Sequence, residues 1–241
     1  MKNHSPIIVI PARMQATRLP GKPLAEINGR PMIAHVIDRA KEADIGPVVV
    51  AAAENEIAEA AAQYGAKAVL TDPNLPSGSD RIKAALDSLD KDRKHDIVIN
   101  VQGDIPTISP LSIRAALTPL EEPSVDISTL VAEIKNQEEL LNPNVVKAVL
   151  AASGRALYFS RALVPTGSGP VYHHIGLYGY RRKALERFVQ LQPSPLELRE
   201  RLEQLRALED GMVISAAVVN DIPLGVDDLD DLERARVQLK V

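Results

Sequence analysis

The sequence contains no cysteine and no tryptophan, and only 3% of its residues are aromatic. Without cysteine there is no disulfide, iron–sulfur cluster, thiolate zinc site or thiol nucleophile. So few rings leave no stacking platform for single-stranded nucleic acid. An excess of basic charge is lacking too. Lys and Arg number 28 against 32 Asp and Glu, a net charge of −4, whereas general nucleic-acid binders carry a basic surplus. Apolar runs such as Ile7–Ile10 and Ala216–Val219 are far shorter than the ~20 residues that cross a bilayer. The four apolar residues stopped by Pro11 make no secretory signal. Neither GxGxxG nor GxxxxGK[ST] occurs, so there is no dinucleotide fingerprint and no P-loop. What is present, 45% apolar and 25% charged residues in a chain of 241, suits a soluble, cytoplasmic protein of enzyme size, with no nucleic acid and no membrane insertion expected.

Short β-branched runs alternate with Ala- and Leu-rich helical stretches. Pro6–Pro11 lacks polar alternation, which predicts a strand buried on both faces, Asp96–Val101 reads as another buried strand, and Val48–Ala52 and Ala68–Leu70 read as strands between them. Between them, Met32–Ala43 repeats Ile33, Val36, Ile37 and Ala40 at helical spacing, and Glu54–Tyr64 and Ser79–Leu89 read as further helices. This β-α-β-α-β order predicts an α/β fold with a doubly wound, mostly parallel sheet. The second half is less regular and predicts a smaller mixed-sheet lobe. Its strands are Val125–Glu133, Val145–Leu150, Tyr172–Tyr180 and Met212–Val219, with a polar loop over Asn136–Asn144. Helices are expected over Arg182–Leu191, Leu196–Leu208 and Asp228–Leu239.

In open α/β sheets ligands bind beyond the carboxyl ends of the strands, which singles out three loops. The loop after the first strand, Ala12–Pro23, holds Arg13, Arg18 and Lys22 and no acid; the first acid of the chain is Glu26. Guanidinium forks, an ammonium and backbone N–H groups can wrap a polyphosphate there, although a solvated basic loop would read the same way. After the third strand, Ser77, Gly78 and Ser79 offer hydroxyls and close backbone approach to a base or ribose; equally, Ser79 is placed to cap a helix. After the fourth, Gly103 permits a tight turn and Asp104 emerges where a carboxylate can hold Mg²⁺. Near the carboxyl terminus, Asp221–Glu233 carries six acids and no base, and there Asp227 reads as a metal ligand or a helix cap alike. His173 and His174 lie in a strand, and Glu203 and Gln204 on a helix, where structural roles are common for all four.

Taken together, the strings IPARMQATRLPGKPL, INGRPMIAHV, SGSDRI, VINVQGDIP, NPNVVKAVL, ALYFSRALVP, HHIGLYGYR, QPSPLELRERLEQLR and LGVDDLDDLERAR resemble the 3-deoxy-manno-octulosonate cytidylyltransferase (CMP-Kdo synthetase) family. They are collinear from Ile10 to Arg236. The resemblance implies a nucleotide-diphospho-sugar transferase type of α/β domain over 1–241, with a sugar-binding and dimerisation lobe around 133–210. It implies transfer of CMP from CTP to 3-deoxy-D-manno-octulosonate (Kdo), with release of pyrophosphate, for lipopolysaccharide biosynthesis. The alternatives are a cytidylyltransferase for another acidic sugar, such as amino-Kdo or a sialic acid, and a non-catalytic nucleotide-binding module.

Position by position, the resemblance gives Arg13 and Lys22 the CTP phosphates, with Arg18 beside them, and Ser77 and Gly78 the cytidine. Asp104 of the QGD string and Asp227 of the GVD string become ligands of a Mg²⁺ cofactor and, with Arg13 and Lys22, the catalytic set. Gln102, Arg161, His174, Tyr178, Glu203 and Gln204 match positions that bind substrate. A homodimer is implied as well. The chain departs from many relatives at Ile105, where they carry Glu, at Asp228, where they carry Thr, and in a shorter segment between Pro165 and His173.

Overall fold

The computed structural model describes residues 4–240, which form two compact units. One comprises the residues up to Arg114 together with those from Pro223 onward; the other is Ala115–Ile222. The lobe expected around 133–210 falls inside the second.

The first unit is built on β1 (Pro6–Ala12). A small hairpin follows, β2 (Glu26–Ile27) and β3 (Arg30–Pro31), and then α1 (Met32–Glu42), β4 (Val48–Ala52), α2 (Asn55–Gln63), β5 (Lys67–Leu70), α3 (Gly78–Leu89), β6 (Ile97–Asn100) and the short α4 (Pro110–Ala115). Strands β6, β1, β4 and β5 lie side by side in that order, all parallel. As the unbroken apolar runs predict, Ile7–Ile10, Val49–Ala52 and Ile97–Ile99 are all 2% exposed or less. Each Val or Ile buried this way contributes about 1.5–3 kcal/mol. Helix α1 buries Ile33, Val36, Ile37 and Ala40, the stripe its spacing announces. Gly46 allows the chain to enter β4, because a Cβ there would lie 2.2 Å from the Pro6 carbonyl oxygen.

The second unit carries β7 (Ile127–Glu133), α5 (Gln137–Leu141), β8 (Lys147–Leu150), β9 (Ala156–Ser160), β10 (Tyr172–Arg181), α6 (Arg182–Phe188), α7 (Pro195–Glu200), α8 (Gln204–Glu209) and β11 (Ile214–Val219). β10 pairs antiparallel with β7 and β8, β8 with β9 likewise, and β11 lies parallel to β7. This is the mixed sheet that the irregular second half suggested. The chain then returns to the first unit as α9 (Leu229–Gln238), where Val226, Leu232 and Ala235 pack with Leu19, Ile27 and Met32.

Three sequence expectations are corrected here. The polar loop over Asn136–Asn144 contains α5, whose Asn136 cap accepts from the Glu138 N–H. The single helix expected over Leu196–Leu208 is two, because Arg201 adopts a left-handed conformation (φ 56°) that closes α7. The cap of α3 is Ser77 rather than Ser79: the Ser77 hydroxyl accepts the Asp80 N–H, and Ser79 is buried as the second residue of the helix. Asp228 caps α9 by accepting the Asp231 N–H. Thr is also a good helix cap, so the departure at this position keeps the local function.

Candidate active site

The first unit gathers cations of the basic loop after its first strand and both candidate metal carboxylates at the carboxyl ends of its strands. After β1 the chain makes a loop closed by the Gly21 N–H on the Met14 carbonyl at 3.0 Å, then a single helical turn at Lys22–Leu24. That turn aims the Lys22 ammonium inward, with its side chain 16% exposed. After β6, Gly103 passes close to β1; a Cβ there would lie 3.0 Å from the Pro11 carbonyl oxygen. The next residue, Asp104, presents its carboxylate to Lys22, with Nζ to Oδ2 at 2.7 Å. Asp227 comes from the far end of the sequence. The Val226 N–H donates to the Asp104 carbonyl at 2.9 Å, and the Leu224 N–H to Thr107 Oγ1 at 2.7 Å. These bonds lay the GVD segment against the QGD loop and bring Asp227 Oδ1 to 3.3 Å from Lys22 Nζ. Arg18 completes the group with Nη2 2.8 Å from Asp227 Oδ2.

Burial works against the Lys22 ammonium, but Asp104 and then Asp227 outweigh it, and the pKa stands above its ordinary 10.5. Lys22 is therefore a permanent cation at physiological pH and no proton acceptor. Arg13, Lys22, Ser77, Gly78, Gln102 and Asp104 line one cavity of about 260 Å³. The Gln102 amide donates to Asn100 Oδ1 at 3.1 Å. The same cavity is lined by Arg81, a residue that pattern reasoning did not single out although it lies in the SGSDRI string. Its guanidinium donates to Thr71 Oγ1 at 2.7 Å and to the carbonyls of Asp72 and Pro73.

The second unit brings together His174, Tyr178 and Gln204. His174 lies on β10, is 8% exposed, and stacks edge-on to Phe159 at 4.7 Å between ring centres. Burial first, and then His173, lower its pKa to about 3, so the imidazole is neutral. Gln204 Nε2 donates to His174 Nδ1 at 3.4 Å. That bond puts the ring proton on Nε2, which donates to Thr129 Oγ1 at 2.9 Å. The Thr129 hydroxyl in turn donates to the Leu177 carbonyl at 2.9 Å. An irregularity in the β10–β7 register between Ile175 and Tyr178 returns the Tyr178 ring to the His174 ring, 5.6 Å away. Burial, then Tyr180 and Glu203, raise the Tyr178 pKa well above 10.0, which keeps its hydroxyl a hydrogen-bond donor. Arg161 is placed differently. Its guanidinium donates to the carbonyls of Glu200 (2.9 Å), Pro143 (3.1 Å) and Arg201 (3.4 Å), and so clamps the end of α7 to the loop before β8.

A parallel α/β unit with a basic loop and two carboxylates gathered beyond its strand ends has the fold of a nucleotidyltransferase. Comparison with known proteins narrows this. The cytidylyltransferase family profile matches residues 7–214. The 3-deoxy-manno-octulosonate cytidylyltransferase of Rhodospirillum centenum is 62% identical over 240 residues, covering 98% of this chain and 93% of that protein. Its namesake from Mesorhizobium japonicum is 60% identical, covering 98% and 99%. A solved CMP:2-keto-3-deoxy-manno-octonic acid synthetase, complexed with CTP, superposes with a TM-score of 0.91 at 36% identity and 98% coverage of both chains. The 4-diphosphocytidyl-2C-methyl-D-erythritol synthase of Anaerococcus prevotii shares the fold alone, with a TM-score of 0.68 at 12% identity over 98% of both chains. The chain belongs to the 3-deoxy-manno-octulosonate cytidylyltransferase family. Among the described residues, no helix is long and apolar enough to cross a membrane.

Proposed function

We propose that this protein transfers CMP from CTP to Kdo, giving CMP-Kdo and pyrophosphate for lipopolysaccharide assembly. The observation that carries the reading is the convergence of Lys22 and Arg18 on Asp104 and Asp227, in a chain about 60% identical to named enzymes of this activity over 98% of its length. The reaction is one in-line displacement. The anomeric hydroxyl oxygen of the sugar gives its proton to solvent water and forms a bond to the α-phosphorus, and the bond from that phosphorus to the bridging oxygen breaks. Pyrophosphate leaves with the electron pair.

In this reading Arg13 and Lys22 neutralise charge that grows on the departing pyrophosphate, with Arg18 beside them; such contacts are often the largest catalytic contribution. Ser77 and Gly78 receive the cytidine, and Gln102, which lines the same cavity, is a polar partner for the acceptor's carboxylate. In the second unit, His174, Tyr178, Glu203 and Gln204 orient the sugar, and Arg161 holds its surrounding loops. A neutral imidazole and an un-ionised tyrosine suit a ligand rich in hydroxyls. We further propose that the enzyme is a cytoplasmic homodimer.

The donor set at Asp104 and Asp227 fits Mg²⁺. Both are hard oxygen ligands, and both already converge on one positive charge. Mg²⁺ is usually held by one or two carboxylates plus substrate phosphates rather than by an all-protein cage. When bound it supplies charge neutralisation at the phosphates and acidifies a neighbouring hydroxyl. The test is pyrophosphate release with CTP and Mg²⁺, comparing Kdo, a sialic acid and no sugar, with UTP and EDTA controls. Release that requires CTP, Kdo and Mg²⁺ together is expected. Turnover with a different acidic sugar alone, or with none, overturns the assignment.

A further inference from the structure

The peptide groups on both sides of Arg13 are tied down, one by the sheet and the other by a side chain 40 residues away. Strands β1 and β4 pair as far as Ala12 and Ala52. One step further, the Ala53 N–H donates to the Ala12 carbonyl at 3.0 Å. The regular ladder ends there, but the next donor is still satisfied. The Met14 N–H donates to Glu54 Oε2 at 3.0 Å. The carboxylate stands in for a backbone carbonyl and extends the ladder by one bond, just past Arg13, which lines the cavity. Glu54 occupies the cap position of α2 without making a cap bond to its own helix, so its side chain is given to the loop instead. The charges agree. Arg81 is disfavoured as a cation first by burial and then by Arg13, and Glu54 opposes both. A single carboxylate therefore holds the loop backbone and favours the charged Arg81 of the same cavity.

We infer that Glu54 is a positioning residue for triphosphate recognition: by accepting the Met14 N–H it fixes the backbone from which Arg13 reaches the CTP phosphates. This rests on the reading of Arg13 as a phosphate ligand. An acid at a helix N-terminus also favours the helix dipole, and three variants separate the two roles. Glu54→Gln keeps an acceptor oxygen and loses the charge. Glu54→Asp keeps the charge and withdraws the oxygen by one methylene. Glu54→Ala loses both.

The experiment is steady-state pyrophosphate release with CTP varied at saturating Kdo, and the reverse, with calorimetric CTP binding without sugar and a melting curve for each variant. Glu54→Ala is expected to raise KM for CTP about tenfold, the effect of orphaning one partly buried donor, while KM for Kdo moves less than about twofold. Glu54→Gln recovers most of the loss, and Glu54→Asp behaves like Glu54→Ala, which keeps the question answerable if the alanine variant fails to fold. Parent-like CTP kinetics in Glu54→Ala, equal rises in both KM values, or rescue by Asp instead of Gln overturns the inference. If the parent itself shows no Kdo-dependent turnover, the proposed function falls, and the calorimetric CTP series still decides the role of Glu54.

Discussion

The neutral His174 makes a quantitative prediction about acid stability. In the unfolded chain its imidazole titrates near the ordinary 6.5, and in the folded protein near about 3. Between those values the unfolded state binds a proton that the folded state does not, so stability falls as pH falls, by about 1.4 kcal/mol per unit. The loss begins below the unfolded value of 6.5 and ends near 3. At pH 5 it amounts to about 2 kcal/mol relative to pH 7.5, a substantial part of the margin of a typical domain. The assay compares urea unfolding of the parent and His174→Gln at pH 7.5, 6, 5 and 4.5. At pH 7.5 the parent is the more stable, because the variant gives up the Thr129 and Phe159 contacts. That advantage narrows by about 2 kcal/mol at pH 5, since the variant carries no group with this shift. Imidazole NMR supplies the direct check: of the five histidines, His174 shows no titration above pH 4. A His174 resonance that titrates near 6.5, or a parent–variant difference that is flat from pH 7.5 to 4.5, refutes the buried, hydrogen-bonded neutral ring.

Replacing Asp104 with Asn removes the carboxylate that meets Lys22 at 2.7 Å; kcat is expected to fall about 10²-fold or more, and near-normal turnover at saturating Mg²⁺ would rule out its role. Glu197 accepts from the Arg206 guanidinium and the Ser194 N–H, and these contacts outweigh burial and hold its pKa below the usual 4.5. A depressed carboxylate pKa stabilises the fold above the unfolded value and ceases to do so as pH falls through the folded one. Glu197→Gln is therefore expected to cost about 3 kcal/mol at pH 7, with the gap shrinking below pH ~4.5, and a gap that is independent of pH would contradict this. Gly46→Ala drives a methyl group into the Pro6 carbonyl and is expected to destabilise by about 1–3 kcal/mol; an unchanged melting temperature would show that the β4 entry relaxes freely.

Much of the first unit was legible because a strand covered on both faces has little room for polar residues. Ile7–Ile10 and Ile97–Ile99 are apolar in sequence for the same reason that they are buried in the fold. The second unit resisted reading where elements are short or held by distant partners. Helix α5 spans five residues and buries none of them, so no apolar stripe betrays it. The break between α7 and α8 depends on an arginine at positive φ whose carbonyl is taken by Arg161, 40 residues earlier. In the site, Arg13, Lys22 and Asp104 follow from strand-end position and charge. Asp227 pairs with a lysine 205 residues away; its acidic segment left it open between metal ligand and helix cap, and the family resemblance favoured the ligand. Arg81 and Glu54 work through backbone atoms of other segments, and neither composition nor spacing records such bonds.

The electrostatic balance of the site explains why cations and acids are interleaved there. Arg13, Arg18 and Lys22 bring three positive charges and Asp104 and Asp227 two negative ones, leaving a net +1. Three cations gathered alone would repel one another and hold the basic loop open. Instead Lys22 is shared by both carboxylates and Arg18 is paired with one of them, so the cations are held in place by partners of the same chemical kind as a phosphate oxygen. Under the proposed function, the arrival of CTP is an exchange of anions around cations already in position. Asp104 and Asp227 would then be the residues free to hold a divalent cation, which would supply further charge neutralisation at the phosphates. The loop needs little reorganisation because its backbone is fixed separately, by the sheet at Ala12, by the Glu54 carboxylate at Met14 and by the turn at Gly21. Under the proposed function, this separation of duties, backbone bonds for position and exchangeable ion pairs for charge, lets a short basic loop trade its own acids for a highly charged ligand without losing its shape.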